Sequence, residues 1–173
     1  MKQIFNCDHP GIMASIFLIL LFSVPSSVWS QDIPQPGVLI TESDKKAIAD
    51  LARDIPLILS NEGWDAYTNT FTNDYKNWSM IGDKVRERKE YLSLVKDWYD
   101  KGNRATESRL NSIGFIPVDS SCVLFLYALR EEFNSTNDSS GNNSRDIRFV
   151  AIYRKIDGAW KNSFTAFMDM PKL

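Results

Sequence analysis

Imidazole is almost absent from this chain: its single histidine is His9, close to the start. If the N-terminal segment is removed, as argued below, no histidine remains. Ser-His-Asp and Cys-His nucleophilic arrangements then lack their base, and most zinc sites lose their usual ligand. Cysteine is as scarce. Cys7 lies in the same N-terminal segment and Cys122 is the other, so no intramolecular disulfide can form after removal. Cys122 opens the apolar stretch 122–127 and reads as a buried, inert thiol. Neither a metal nor a cofactor is expected.

What remains for chemistry is aromatic, amide and guanidinium groups. Tyr67, Trp78, Tyr91, Trp98, Tyr127 and Trp160 supply material for an apolar pocket with a few placed polar groups. Trp78 and Trp98 read either as core or as a ligand platform. Arg109 and Arg148 fall inside predicted strands. Each belongs to a solvated face, or is a pocket cation able to grip a carboxylate with its planar fork. Strict alternation over 159–169 puts Trp160, Phe164, Ala166 and Met168 on one face and Lys161, Ser163, Thr165 and Asp169 on the other. Asn162 falls on the apolar side, as an amide bonded to neighbouring backbone or as an orienting group in a pocket. Asp65 and Asp74 stand at junctions where Asp usually caps. No catalytic residue is singled out.

The elements that must position these groups begin after a secretory-type start. Lys2 precedes an apolar run at 12–22, and 23–30 is small and turn-prone, which fits cleavage near Ser30. The run is short for a membrane span, which needs about 20 predominantly apolar residues. A secreted or periplasmic location follows, with membrane contact only through an uncleaved N-terminus. Removal of 1–30 leaves roughly 143 residues, one ordinary domain. At 43% hydrophobic and 24% charged residues the chain can build a core. Its net charge of −2 and lack of a basic patch argue against nucleic acid.

Residues 31–42 read as an extended lead-in with Pro34, Pro36 and Gly37. Thr41 and Asp44 form a capping box, and Ile48, Leu51, Ile55, Ile58 and Leu59 recur at helical spacing. Pro56 should kink or end that helix. A short helix over 64–71 and a strand over 75–80 follow. Residues 84–101 form the clearest helix, capped at Gly82-Asp83 and ended by Gly102. The second half turns to strands at 104–118, 121–133, 145–155 and 159–169, the last two joined at Asp157-Gly158, a two-residue hairpin signal. Residues 134–144, almost wholly Asn, Ser, Thr, Asp and Gly, read as a solvent loop.

This order, with Trp64-Asp65-Ala66-Tyr67, Phe71-Thr72-Asn73-Asp74-Tyr75, Tyr91-Leu92 and the closing Lys155-Ile156-Asp157-Gly158-Ala159-Trp160, resembles the nuclear-transport-factor-2-like superfamily, especially its SnoaL-like branch. The resemblance covers roughly 43–169 and takes the domain as 43–173. It implies an α+β fold: a curved antiparallel sheet wrapped around N-terminal helices as a cone, ordered α-α-β-α-β-β-β-β, with an interior pocket and a possible homodimer through the sheet. Isomerase members would place a base carboxylate after the first strand, where Trp78-Ser79-Met80-Ile81 offers none. An Arg-x-Asp pair at Arg148 would need an acid where Val150 stands. The reading is therefore an exported, non-catalytic module that binds a small hydrophobic molecule or a partner. The alternative is a lyase- or isomerase-type enzyme using Tyr, Asp or Arg. Candidate ligand contacts are Tyr67, Trp78, Trp98, Arg109, Tyr127, Arg148 and Asn162.

Overall fold

A computed structural model describes residues 40–134 and 143–170, all within the unit Val38–Leu173. The signal-like segment, most of the lead-in and the core of the polar loop lie outside the described residues.

The chain opens with α1 (Glu42–Asn61), and the expected capping box is present, with Thr41 and Asp44 exchanging hydrogen bonds. Asp44 also accepts from Trp160 Nε1 and Lys155 Nζ, each at 2.9 Å, so the start of α1 is tied to the last hairpin. Pro56 removes one intrahelical bond, yet α1 runs through it to Asn61, because Ile48, Ala52 and Leu59 are buried on either side. A short α2 (Trp64–Asn69) leads into β1 (Phe71–Ser79).

The next segment departs from expectation. Val85–Glu87 is a strand, β2, paired antiparallel with β1, and helix α3 spans only Arg88–Asp100. The helix gives up residues 84–87 at its start, and three of them, Val85–Glu87, satisfy the open edge of β1, aided by β-branched Val85 and the Lys76–Glu87 ion pair at 2.8 Å.

Four long strands complete the sheet: β3 (Arg104–Asp119), β4 (Cys122–Asn134), β5 (Asn143–Ile156) and β6 (Ala159–Asp169). The polar stretch is shorter as a connection than its composition predicts, since Asn143 and Ser144 pair with Phe133 and Glu132. Asp157 and Gly158 turn the last hairpin with φ of 51° and 82°, the paired positive values of a type I′ turn. The order is β2-β1-β6-β5-β4-β3. The sheet is mixed rather than wholly antiparallel. Three successive antiparallel reversals leave β6 opposed to β3, and β1 runs parallel to β6 along its free side.

Helix α1 lays Ile48 and Ala52 on the inner face of the long strands, against Val123, Phe125, Tyr127, Leu129, Ala151 and Tyr153. A second cluster gathers Leu59, Tyr67, Phe71, Tyr75 and Leu92 where α1, α2, β1 and α3 meet. Cys122 is only half-buried, at the first position of β4 next to the exposed turn. The expectation of a buried thiol fails because the strand begins at that residue.

Candidate functional site

The two apolar clusters do not close against each other. Between them lies a cavity of about 260 Å³, walled by all three helices and the inner face of the sheet. Its lining is mostly aromatic and aliphatic, and among the described residues Glu131 and Arg145 are its only charged members. Exposure falls from the rim, where Leu94 is 53% exposed, to the floor, where Asn77 and Asn162 are 2% and 3% exposed. The space therefore has an outer and a buried end.

Alternation along β4 and β5 builds the inner wall. Odd-numbered residues from Val123 to Phe133 and from Arg145 to Tyr153 face inward. Tyr127 stacks on Phe125 at 4.7 Å and on Phe149 at 4.8 Å between ring centres. Glu131 and Arg145 are opposite one another across this hairpin, and Arg145 Nε and Nη2 both lie 2.7 Å from the same oxygen, Oε2. The carboxylate is buried and the guanidinium half-exposed. Burial works against the Arg145 charge, but Glu131 beside it prevails and holds the guanidinium above its ordinary value.

Helix side chains supply the facing wall. Tyr67 and Tyr91 share a hydroxyl–hydroxyl hydrogen bond of 3.0 Å. Phe71 and Tyr75 pack on the same Tyr91 ring, 5.8 and 5.2 Å away. Burial pushes the hydroxyls of Tyr67, Tyr75, Tyr91, Tyr127 and Tyr153 upward, so all five stay neutral through the ordinary pH range.

The floor depends on a bulge. Tyr153 pairs with Asn162 and Ile152 with Phe164, so Ser163 is an extra residue without a partner, its Oγ donating to the Ile152 carbonyl at 3.1 Å. A bulge shifts strand parity. Asn162, Thr165 and Phe167 consequently all line the cavity. Phe164 pairs instead on the outer face with Ile152. The strict alternation expected for this strand, with Thr165 outward and Phe164 inward, is corrected by one residue. The same shift lets Asn162 Nδ2 reach Thr165 Oγ1 at 2.9 Å.

Of the residues singled out in the sequence, Tyr67, Trp98, Tyr127 and Asn162 line this cavity. Trp98 is half-buried there, edge-on to Phe133 at 6.1 Å. The other three are not brought to it. Arg109 is 65% exposed and ion-paired with Glu107. Arg148 is exposed on the outer face opposite Ala128 and Met168. Trp78, also outward, donates its Nε1–H to the Gly82 carbonyl at 2.8 Å. Asp65 sits in the first turn of α2, and Asp74 pairs with Arg154 at 3.0 Å.

Sequence reasoning missed Glu131, Arg145, Asn77 and Thr165. The signal for the first two was present: a charge interrupts the apolar parity Val123, Phe125, Tyr127, Leu129 at Glu131, and Arg145 does the same before Ile147 and Phe149. Among the described residues no cluster of three or more His, Cys, Asp or Glu could hold a metal ion, and no helix is long and apolar enough to cross a membrane.

No family profile and no curated protein matches the sequence. Solved structures do match the fold. A ketosteroid isomerase-like protein from Erwinia carotovora atroseptica superposes with a TM-score of 0.59 at 10% identity, over 76% of this chain and 100% of that one. A nuclear-transport-factor-2-like protein of unknown function from Prochlorococcus marinus gives 0.58 at 15% identity, over 75% and 94%. A protein of unknown function with a cystatin-like fold from Nostoc punctiforme gives 0.56 at 22% identity, over 78% and 96%. With helices packed on the inner face of an open six-stranded sheet, and a cavity between them, this chain has the nuclear-transport-factor-2-like fold.

Proposed function

We propose that this protein is an exported domain that binds a small, mainly apolar molecule inside the cavity. The observation that carries this reading is the lining: aromatic walls around about 260 Å³, with a single ion pair as the only charge among the described residues. A folding core alone gains nothing from leaving such space empty, since interiors otherwise pack to crystal density. Apolar walls with a few polar groups are the usual composition of ligand sites. Export rests on the secretory-type N-terminus.

The test is native mass spectrometry of protein purified from its own compartment, beside an Ala52→Phe variant. Ala52 is buried and lines the cavity, so a phenylalanine there fills the space. A retained mass on the wild type that is lost from the variant supports the reading. Two identical bare spectra, with no small molecule stabilising the wild type over the variant in a screen, would oppose it.

A second reading is favoured by Glu131. A carboxylate that is 7% exposed, held through one oxygen by Arg145 and facing a hydrophobic cavity, can move a proton on a bound substrate. The ion pair is costly to bury and contributes little net stability, which suits a functional role. The reaction class would be isomerisation or elimination on a hydrophobic substrate, as the ketosteroid isomerase-like neighbour suggests. Glu131→Gln separates the two: turnover lost with binding kept supports the enzyme.

We further propose a homodimer through the outer face of the sheet. There Leu124, Leu126, Val150, Ile152 and Phe164 sit in register across three strands, beside half-exposed Ile116. One such patch can pair with its own copy about a two-fold axis. Analytical ultracentrifugation of the wild type and of Ile152→Lys gives the answer, with a monomeric wild type excluding it.

A further inference from the structure

On the reading that the cavity holds a small molecule, we infer that its buried end receives a hydrogen-bond donor: a neutral hydroxyl or N–H group on an otherwise apolar ligand. The inference rests on two amides. Asn77 and Asn162 both line the cavity and are both almost fully buried. Each commits its Nδ2 to a neighbour, Asn77 to the Tyr75 hydroxyl at 3.4 Å and Asn162 to Thr165 Oγ1 at 2.9 Å. Neither Oδ1 has a hydrogen-bond partner among the described residues. The two stand together, because Asn77 is paired with Thr165 across β1 and β6.

An acceptor buried without a donor is costly, and native proteins rarely tolerate one. Two in the same corner of a cavity call for a shared occupant. The Ser163 bulge sharpens the point, since regular alternation would have turned Thr165 outward and left Asn162 without it. Bulges beside binding sites commonly re-aim side chains in this way.

The chemistry of the occupant follows from what surrounds the pair. A carboxylate would meet two acceptor oxygens with no cation beside them, and a ketone oxygen, whatever hydroxyl it accepted from, would leave both Oδ1 atoms unpaired. A cation would find no countercharge, because Glu131, the only acid in the lining among the described residues, is far away. Thr165 pairs with Ala151, six residues along β5 from Arg145, or roughly 20 Å at about 3.3 Å per residue. A neutral donor on an apolar body meets both conditions.

The experiment compares 2-naphthol, which carries a hydroxyl, with 2-methoxynaphthalene, which has the same rings and no donor. Calorimetric titration should show the wild type binding 2-naphthol about tenfold more tightly, the effect of one neutral hydrogen bond in a buried site. In Asn162→Leu and in Asn77→Leu that ratio should collapse toward one. Being a ratio within each variant, it does not depend on the fraction folded. A wild-type readout stands beside it: the side-chain carbonyl signals of Asn77 and Asn162 should shift with 2-naphthol and not with the ether. Equal affinity for the two compounds overturns the inference and leaves the cavity reading intact. Binding of neither overturns both.

Discussion

Alkaline pH should unfold this protein steeply, and its buried tyrosines set the size of the effect. Tyr67, Tyr75, Tyr127 and Tyr153 are each no more than 3% exposed, and Tyr91 joins them through its bond to Tyr67. Burial raises the pKa of all five above the ordinary phenol value of 10.0. In the unfolded chain each loses its proton near pH 10; in the folded chain it does not. Above pH 10 the unfolded state therefore binds fewer protons than the folded one, and stability falls as pH rises until the folded pKa values are reached. By pH 11 one such tyrosine costs about 1.4 kcal/mol, and five together cost roughly 7 kcal/mol. That is comparable with the whole stability of a domain, about 5–15 kcal/mol. The assay is urea unfolding followed by tryptophan fluorescence at pH 8, 9, 10, 10.5 and 11, with tyrosinate absorbance recorded in parallel. Unfolding and the bulk of tyrosinate formation should coincide. Lysines also titrate in this range, so Tyr127→Phe is the control: it should lose about 1.4 kcal/mol less than the wild type between pH 9 and 11. A wild-type loss under about 2 kcal/mol over that interval, or equal slopes for wild type and variant, would refute the reasoning.

Three other outcomes rest on contacts already described. Tyr67→Phe should destabilise by about 1–3 kcal/mol because the Tyr91 hydroxyl is left without its partner, whereas Tyr67→Phe with Tyr91→Phe should lie closer to wild type; denaturant unfolding that gives the sum of the two single effects would count against the hydrogen bond. Asp44 is held below the usual carboxylate range by Lys155, then by Thr41 and Trp160, so its contribution is present above its unfolded pKa and disappears as pH falls through the folded value. Asp44→Asn should accordingly flatten the acid limb of a stability-versus-pH curve below about pH 4, and an unchanged limb would mean the cluster does not hold the start of α1. Trp98→Ala should cost less than a fully buried Trp, about 1–3 kcal/mol by urea unfolding, because the ring is half-buried on the cavity wall; a loss beyond about 4 kcal/mol would place it in the core instead.

The elements were legible where local rules act alone. The capping box at Thr41 and Asp44, the type I′ turn at Asp157-Gly158 and the four long strands all stand where residue types put them. Segment 84–87 was not legible, because its helical pattern was overridden by the unpaired edge of β1, a partner distant in sequence. The helix does not end at Pro56, one of the two outcomes its sequence allowed, for a similar reason: the cost of one lost hydrogen bond is local, while the burial of Ile48, Ala52 and Leu59 that offsets it is tertiary. In the site, Tyr67, Trp98, Tyr127 and Asn162 could be named from amphipathic spacing. Arg109 and Arg148 could not be excluded, because a strand has two faces and composition does not say which is inside.

By itself the sequence determined what this protein lacks and how its elements follow one another: one histidine and one cysteine near the start, a single Cys122 beyond it, and helices before strands. Those are properties of residue identity and of neighbours within one turn or hairpin. Only the tertiary structure decided that Glu131 and Arg145 oppose each other inside the cavity, that β1 runs parallel to β6, and that one unpaired residue, Ser163, turns Thr165 inward beside Asn77 and Asn162. Each of these depends on strand register, and register is set by the partner strand. A shift of one residue exchanges the two faces of a strand at almost no local cost, so no reading of the isolated segment can choose between them.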